Sequence, residues 1–271
     1  MGDIFANYRR KKSSWENNFR AEWGMIKNEG APLTKNIDMM ELNSQYGYQV
    51  DKKGTIFVGG LLNFTNQFTQ TNLEGSKTQY TTNFLAPARM ILAGGFNWKP
   101  NEEFSLFFSP AAGKFTIVTD KGVDETVFGL EEGKKIRAEF GAFLKAEFKK
   151  ELMKNIKLRT TISLYNNYLN NTEEPIFENN TFVGNRSNRG NIDVDWIVGI
   201  DMTINKWFTL NFATQLLYDH DVSITREDKN GNIKTGPTTQ FSESLNVGFS
   251  YRFDPTQTKK AKAAAAAAAI K

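Results

Sequence analysis

Four aspartates raise the first chemical question. Asp193 and Asp195 stand two apart in NIDVDW, and Asp219 and Asp221 flank the single histidine, His220, in YDHD. Residues two apart share a face of an extended strand, so each pair sends its carboxylates to one side. If the two segments are neighbours, four carboxylates converge at the strand ends. Hard oxygen ligands in that number suit Ca²⁺, or Mg²⁺ with some of its water, which makes Asp193, Asp195, Asp219 and Asp221 the candidate metal ligands. The plainer expectation is a hydrated acidic rim partnered by Arg186, Arg189 or Arg226, because like charges this close need a cation, a proton or water between them. An Asp–His pair could also activate water for hydrolysis, but alternation sends His220 to the face opposite its two neighbours. No other motif calls for a cofactor.

The elements that must position these residues are strands. In NIDVDWIVGIDMTIN, one face from Ile192 to Ile204 reads Ile, Val, Trp, Val, Ile, Met, Ile, and the other carries Asp193, Asp195, Gly199, Asp201 and Thr203. That alternation is β-branched and a poor helix. SWENNFRAEWGM sets Trp15, Phe19, Ala21, Trp23 and Met25 against Glu16, Asn18, Arg20 and Glu22, and QFSESLNVGFSYRF does likewise. By itself KIRAEFGAFLKAEFKK fits a helix as well as a strand; agreement with the other segments makes it a strand. Eleven segments follow the pattern: about 4–10, 14–26, 37–50, 55–68, 85–98, 103–118, 135–149, 156–169, 191–204, 207–221 and 239–253. Most exceed the usual soluble strand of ~5–6 residues and are long enough for the ~9–11 tilted residues that cross a bilayer.

Connections alternate in length. KKS, DKKG, KPNE, the KELMKN turn and the junction at Asn205-Lys206 are short; KNEGAPLTKN, TQTNLEGSKTQYTTNF, TDKGVDETVFGLEEGK, NNTEEPIFENNTFVGNRSNRG and VSITREDKNGNIKTGPTT are long. Short turns on one rim and long loops on the other are the mark of an outer-membrane barrel. The expected fold is therefore all-β, a transmembrane antiparallel up-and-down β-barrel over residues 1–253. Eleven is an odd number and places the chain start outside, so a parent of about twelve strands is expected, with an upstream strand and a signal peptide missing here. Aromatics on the apolar face gather near the short-turn rim (Trp15, Tyr48, Trp98, Phe104, Phe148, Phe208, Tyr251, Phe253) and near the loop rim (Trp23, Phe68, Tyr168, Tyr218, Phe241), as rings do at two headgroup layers. Residues 254–271 form a basic, Ala-rich tail expected on the periplasmic side.

Composition narrows the function classes. With no Cys, disulfides and cysteine metal sites are excluded; a net charge of +4 with mixed signs throughout gives no reason to expect nucleic acid. No apolar run approaches the ~20 residues of a spanning helix. Several stretches, ELNSQYGYQV (41–50), FSLFFSPAAGKFTIV (104–118), RAEFGAFLKAEFKKELMKNI (137–156), NIDVDW (191–196), NKW (205–207) and GFSYRF (248–253), resemble an uncharacterised outer-membrane barrel family of the Bacteroidetes, a domain of unknown function. The resemblance implies fold and location and carries over no catalytic residues. Together these readings point to a barrel without chemistry of its own, contacting outer-membrane lipid and serving as a structural or accessory part of a larger assembly with other outer-membrane or periplasmic proteins. Its lumen is expected to be filled largely by charged side chains such as Arg20, Glu22, Arg137, Glu139, Lys145 and Glu147. A small diffusion channel is the alternative, followed by an omptin-like or phospholipase-like surface hydrolase and, structurally, a soluble lipocalin-like barrel.

Overall fold

In a computed structural model, residues 2–27, 33–72, 80–169, 173–178, 181–187, 190–205, 207–222, 224–227 and 233–249 are described. The proposed tail lies outside them, as do Tyr251 and Phe253. The chain runs β1 (Gly2–Phe5), β2 (Tyr8–Arg10), β3 (Ser13–Lys27), β4 (Leu33–Gln49), β5 (Ile56–Asn66), β6 (Thr71–Asn72), β7 (Tyr80–Thr82), β8 (Ala88–Trp98), β9 (Phe104–Ile117), β10 (Ile136–Met153), β11 (Ile156–Asn167), β12 (Glu173–Glu178), β13 (Thr181–Ser187), β14 (Asp193–Thr203), β15 (Phe208–Tyr218), β16 (Ile224–Glu227), β17 (Ile233–Gly236) and β18 (Gln240–Phe249). One 12-stranded antiparallel sheet runs in the order β1-β3-β4-β5-β8-β9-β10-β11-β14-β15-β18, with β2 also on β3. β1 and β2 pair with successive parts of β3 and act as one interrupted strand. At the interruption Asn7 Oδ1 accepts the Asn17 N–H, and Asn17 Nδ2 donates to the Ala6 carbonyl. Eleven strand positions result, as the alternation requires. Among the described residues no pairing joins β1 or β2 to β18, so the sheet has two edges.

The sheet is strongly curled. Neighbouring strands lie ~4.8 Å apart, so β9 and β14, three steps apart, would be separated by about 14 Å in a flat sheet. Yet Lys114 Nζ of β9 lies 2.6 Å from Asp193 Oδ2 of β14, and Lys99, just after β8, lies 2.8 Å from Glu16 Oε2 of β3. The charged positions therefore occupy the concave face. The convex face is apolar: one lateral row runs Tyr48, Val58, Phe96, Phe108, Leu144, Leu164, Val194, Tyr218 across eight strands. Its members Phe96 and Phe108 are 53% and 44% exposed. Large rings are thus presented outward while the carboxylates and ammonium groups point in.

Curvature crowds the concave side, and glycine relieves it. Gly47, Gly59 and Gly95 form a lateral row across β4, β5 and β8. A Cβ on Gly59 would overlap the Tyr46 carbonyl oxygen, and one on Gly95 that of Phe108. Gly141 of β10 meets the Asn166 carbonyl in the same way. Between them β9 carries a bulge: Gly141 faces Ala112, whereas Phe143 faces Ser109. Pro110 cannot donate to a ladder and is tolerated there, and Ser109 Oγ supplies local bonds to the Ala111 N–H and the Gly94 carbonyl. Alternation accordingly changes phase along β9, so that Phe107 and Lys114 both point inward. Leu61, Ala93, Phe107, Ala112, Phe143 and Tyr165 form a buried apolar cluster there. The expected charged filling of the interior is thus joined at this level by an apolar cluster, which the bulge helps to build.

The connections keep the expected asymmetry apart from the first, where β4 starts at Leu33 and Lys27 pairs with Leu33, leaving only 28–32 between them. The longer loops hold the hairpins β6-β7, β12-β13 and β16-β17 and a 3₁₀ turn, Glu125–Phe128, capped by Asp124, none of which alternation signals. On the opposite rim, Asp51 holds the DKKG turn by accepting the Thr55 and Ile56 N–H groups at 2.9 Å each. Those bonds, Ile56's foremost, hold its carboxyl at about 2. A depressed pKa stabilises the turn at neutral pH, and this contribution fades as pH falls from the ordinary carboxylate range towards 2. Asp51→Asn is expected to flatten the acid dependence of hydrogen exchange at Thr55 and Ile56. Gly95→Ala is expected to destabilise the fold by several kcal/mol, whereas Gly94→Ala, whose added Cβ meets nothing within 4 Å, should stay within about 1 kcal/mol. Thermal unfolding of the two purified variants makes the comparison.

Candidate functional site

β14 and β15 are neighbours, and Val194 faces Tyr218 in their register. Asp193 thus lies beside the chain as it leaves β15, as the alternation requires, and its Oδ1 accepts the His220 N–H at 3.2 Å. The cation between the carboxylates belongs to the protein. Lys114 Nζ lies 2.6 Å from Asp193 Oδ2, 3.1 Å from Asp219 Oδ2 and 3.8 Å from Glu139 Oε2, with the Tyr165 ring centroid at 5.3 Å. Arg137 Nη2 stands 2.9 Å from Glu139 Oε2, and its Nη1 3.7 Å from Asp221 Oδ2. Asp195 is held apart by Gln215 Nε2 at 2.8 Å. The four expected metal ligands are therefore divided among an ammonium, a guanidinium and an amide. Among the described residues no group of three or more His, Cys, Asp or Glu side chains is arranged to hold a metal ion. The other expected partners, Arg186, Arg189 and Arg226, carry side chains that lie outside the described residues.

The pairing is forced by burial. Lys114 and Glu139 are 7% and 5% exposed, and an isolated ion taken out of water at such a depth costs several kcal/mol. An ammonium with three donors against three carboxylates, itself lying over the Tyr165 ring, meets that demand. Cover comes from the loop between β9 and β10. Val118, Val123 and Leu130 of this loop pack with Ala86, and Tyr80 N–H donates to the Gly122 carbonyl at 2.8 Å. Arg137 Nη1 also donates to the Gly129 carbonyl at 3.3 Å. Gly129 adopts φ +76°, and a Cβ there would press on the Asp221 carbonyl oxygen. The cap thus reaches the loop that follows β15.

His220 is buried on the side of Tyr218, whose hydroxyl lies 2.9 Å from Nδ1. Alternation anticipated that separation from the Asp219 and Asp221 side chains. Lys114 was missed because an unbroken period of two through β9 points it outward; Pro110, a proline inside an otherwise regular strand, was the signal that the phase changes.

Residues 1–71 match a family described as "Protein of unknown function (DUF3078)". No curated protein matches the chain. Among solved structures it is similar to a FadL homologue of Pseudomonas aeruginosa, at 11% identity and a TM-score of 0.39, over 93% of this chain and 66% of the other. It is also similar to a TodX deltaS2S3 mutant, a monoaromatic hydrocarbon channel, at 12% identity and 0.33, over 91% of this chain and 73% of the other. The chain thus spans slightly less than two thirds of the first of these proteins.

Lys114→Met would leave Asp193 and Asp219 facing each other without a counter-ion. It is expected to destabilise the protein by about 3–5 kcal/mol, and adding Asp193→Asn and Asp219→Asn to the same chain should recover most of the loss. Chemical denaturation of the four variants (wild type, Lys114→Met, the double Asp change and the triple change) measures the coupling.

Proposed function

We propose that the protein is a transmembrane β-barrel of the bacterial outer membrane, with its long loops outside and its tail on the periplasmic side, and that its lumen is filled rather than open. It acts as a structural or accessory member of a larger outer-membrane assembly and carries out no chemistry of its own. The observation that carries this reading is the division of the curled sheet into an exposed apolar outside and an inside held together by ion pairs. A soluble domain rarely exposes a contiguous apolar band of this size, and a lipid surround turns that exposure into burial. On the inside, the buried Leu61–Phe107–Phe143–Tyr165 cluster and the capped Lys114 network leave side chains where a diffusion pore would hold water. The exposed aromatics at the ends of the strands, Trp15, Tyr48 and Trp98 at one and Trp23 and Tyr168 at the other, support placement of the rims at headgroup layers.

The purified chain in planar bilayers is expected to give no steady unitary current; a reproducible single-channel conductance would overturn the filled lumen in favour of a small diffusion channel. Leu144→Arg, in the middle of the convex row, should cost about 2–4 kcal/mol for the protein folded into lipid vesicles. A neutral outcome there would remove the lipid-facing assignment.

A further inference from the structure

A second charged region stands at the opposite rim, where Arg9, Lys11 and Lys12 are exposed. A cavity of about 300 Å³ is lined by Arg9, Lys11, Lys12, Ser13, Ser14 and Gln49, among others. Among the described residues no carboxylate lines it. The two nearest in sequence are engaged elsewhere: Asp51 holds its own turn, and Glu16 is bound by Lys99 at 2.8 Å. Among the described residues none of Arg9, Lys11 and Lys12 lies within ion-pair distance of a carboxylate. Ser14 is 8% exposed, lines the cavity and has no hydrogen-bond partner for its hydroxyl among the described residues.

The backbone around these groups is fixed. Arg9 faces Ser14 across the β2-β3 pair, and Gln49 N–H donates to the Lys12 carbonyl at 2.7 Å. At the tip Lys11 adopts φ +50°, a conformation that glycine reaches more easily; a cation stands where the backbone alone would prefer none. Three cationic side chains and the buried Ser14 hydroxyl form a set rich in donors that suits an anion accepting several hydrogen bonds, while the Ser13 hydroxyl is engaged by that of Tyr46 at 3.3 Å.

We propose that this cavity binds a phosphate group, either free or as the phosphodiester of an anionic lipid headgroup at the short-turn rim. The guanidinium of Arg9 supplies a planar pair of donors for two phosphate oxygens, Lys11 and Lys12 supply compact charge, and Ser14 donates from the buried wall. The free-phosphate form of the inference is independent of the proposed cellular role and can be tested away from any membrane; the headgroup form rests on that role.

The test uses the full chain in a zwitterionic detergent. One arm titrates inorganic phosphate calorimetrically in a chloride background. The other uses nanodiscs of phosphatidylglycerol or of phosphatidylcholine and counts lipids retained by native mass spectrometry. Saturable binding of inorganic phosphate, weakened at least tenfold by Arg9→Gln with Lys12→Gln and several-fold by Ser14→Ala, assigns a free-phosphate site. Retention of phosphatidylglycerol over phosphatidylcholine, lost in the same variants while inorganic phosphate stays silent, assigns the headgroup. Lys52→Gln with Lys53→Gln, in the neighbouring turn and outside the cavity lining, should change neither arm. Ser14→Ala removes a single hydroxyl and keeps the test meaningful if the double variant fails to fold. Absence of binding in both arms, or binding that Ser14→Ala and the double variant leave within twofold of wild type, overturns the proposal.

Discussion

An antiparallel strand offers two faces, and curling the sheet makes them unequal. On the concave side lateral neighbours are driven together; on the convex side they are splayed apart. The Gly47–Gly59–Gly95 row removes side chains where the crowding is worst, and Gly141 with the Ser109–Pro110 bulge does the same farther round. Without these the carbonyls of Tyr46, Phe108 and Asn166 would meet Cβ atoms. The rest of the structure depends on that relief, because the ion pairs that define the interior join strands several places apart. Lys114 reaches β14 and the end of β15 only because the sheet between them bends.

Curvature also explains why charge is stable on the inside. The ladder satisfies the backbone polar groups of each strand, so what is left for the interior to solve is side-chain charge. At the loop end four carboxylates, Glu139, Asp193, Asp219 and Asp221, meet two cations, Lys114 and Arg137. Each cation is shared, and backbone N–H groups of His220 and Asp221 take part of the remaining negative charge. A network of this kind is worth more intact than its separate pairs, and removing one member leaves the others buried without counter-charge. It is therefore a lock on the sheet's shape as much as a set of contacts.

The fold was legible in the sequence where period two was uninterrupted. In β14 the faces Val194, Trp196, Val198 and Asp193, Asp195, Asp201 emerge in the register expected, and the pairing with β15 brings Asp193 beside the Asp219–Asp221 turn. Legibility failed at phase changes and in the loops. The bulge at Pro110 turned Lys114 inward, so the ion that holds Asp193 and Asp219 could not be named from alternation, and an external cation or a loop arginine was expected instead. The Phe107–Phe143 contact, with centroids 6.4 Å apart on the paired strands β9 and β10, was hidden because alternation places both residues on the face read as charged. The loop hairpins were invisible because their sequences carry turn residues and charge without sustained periodicity.

The two ends of the concave face handle charge in opposite ways, and loop length accounts for the difference. At the long-loop end, the segment between β9 and β10 packs Val118, Val123 and Leu130 into a cap and excludes water from Lys114 and Glu139. Charges in that setting have to find partners within the chain, which is why carboxylates from β10, β14 and the Asp219–Asp221 turn gather around two cations. At the short-turn end the connections have too few residues to cover anything. Arg9, Lys11 and Lys12 stay in contact with solvent, and water can hold their charge at little cost. A dry cluster is closed by its own chain, whereas a wet one is free to take its counter-ion from outside. The asymmetry of connection length that first identified the fold therefore also decides where on this sheet an external ligand has room to bind.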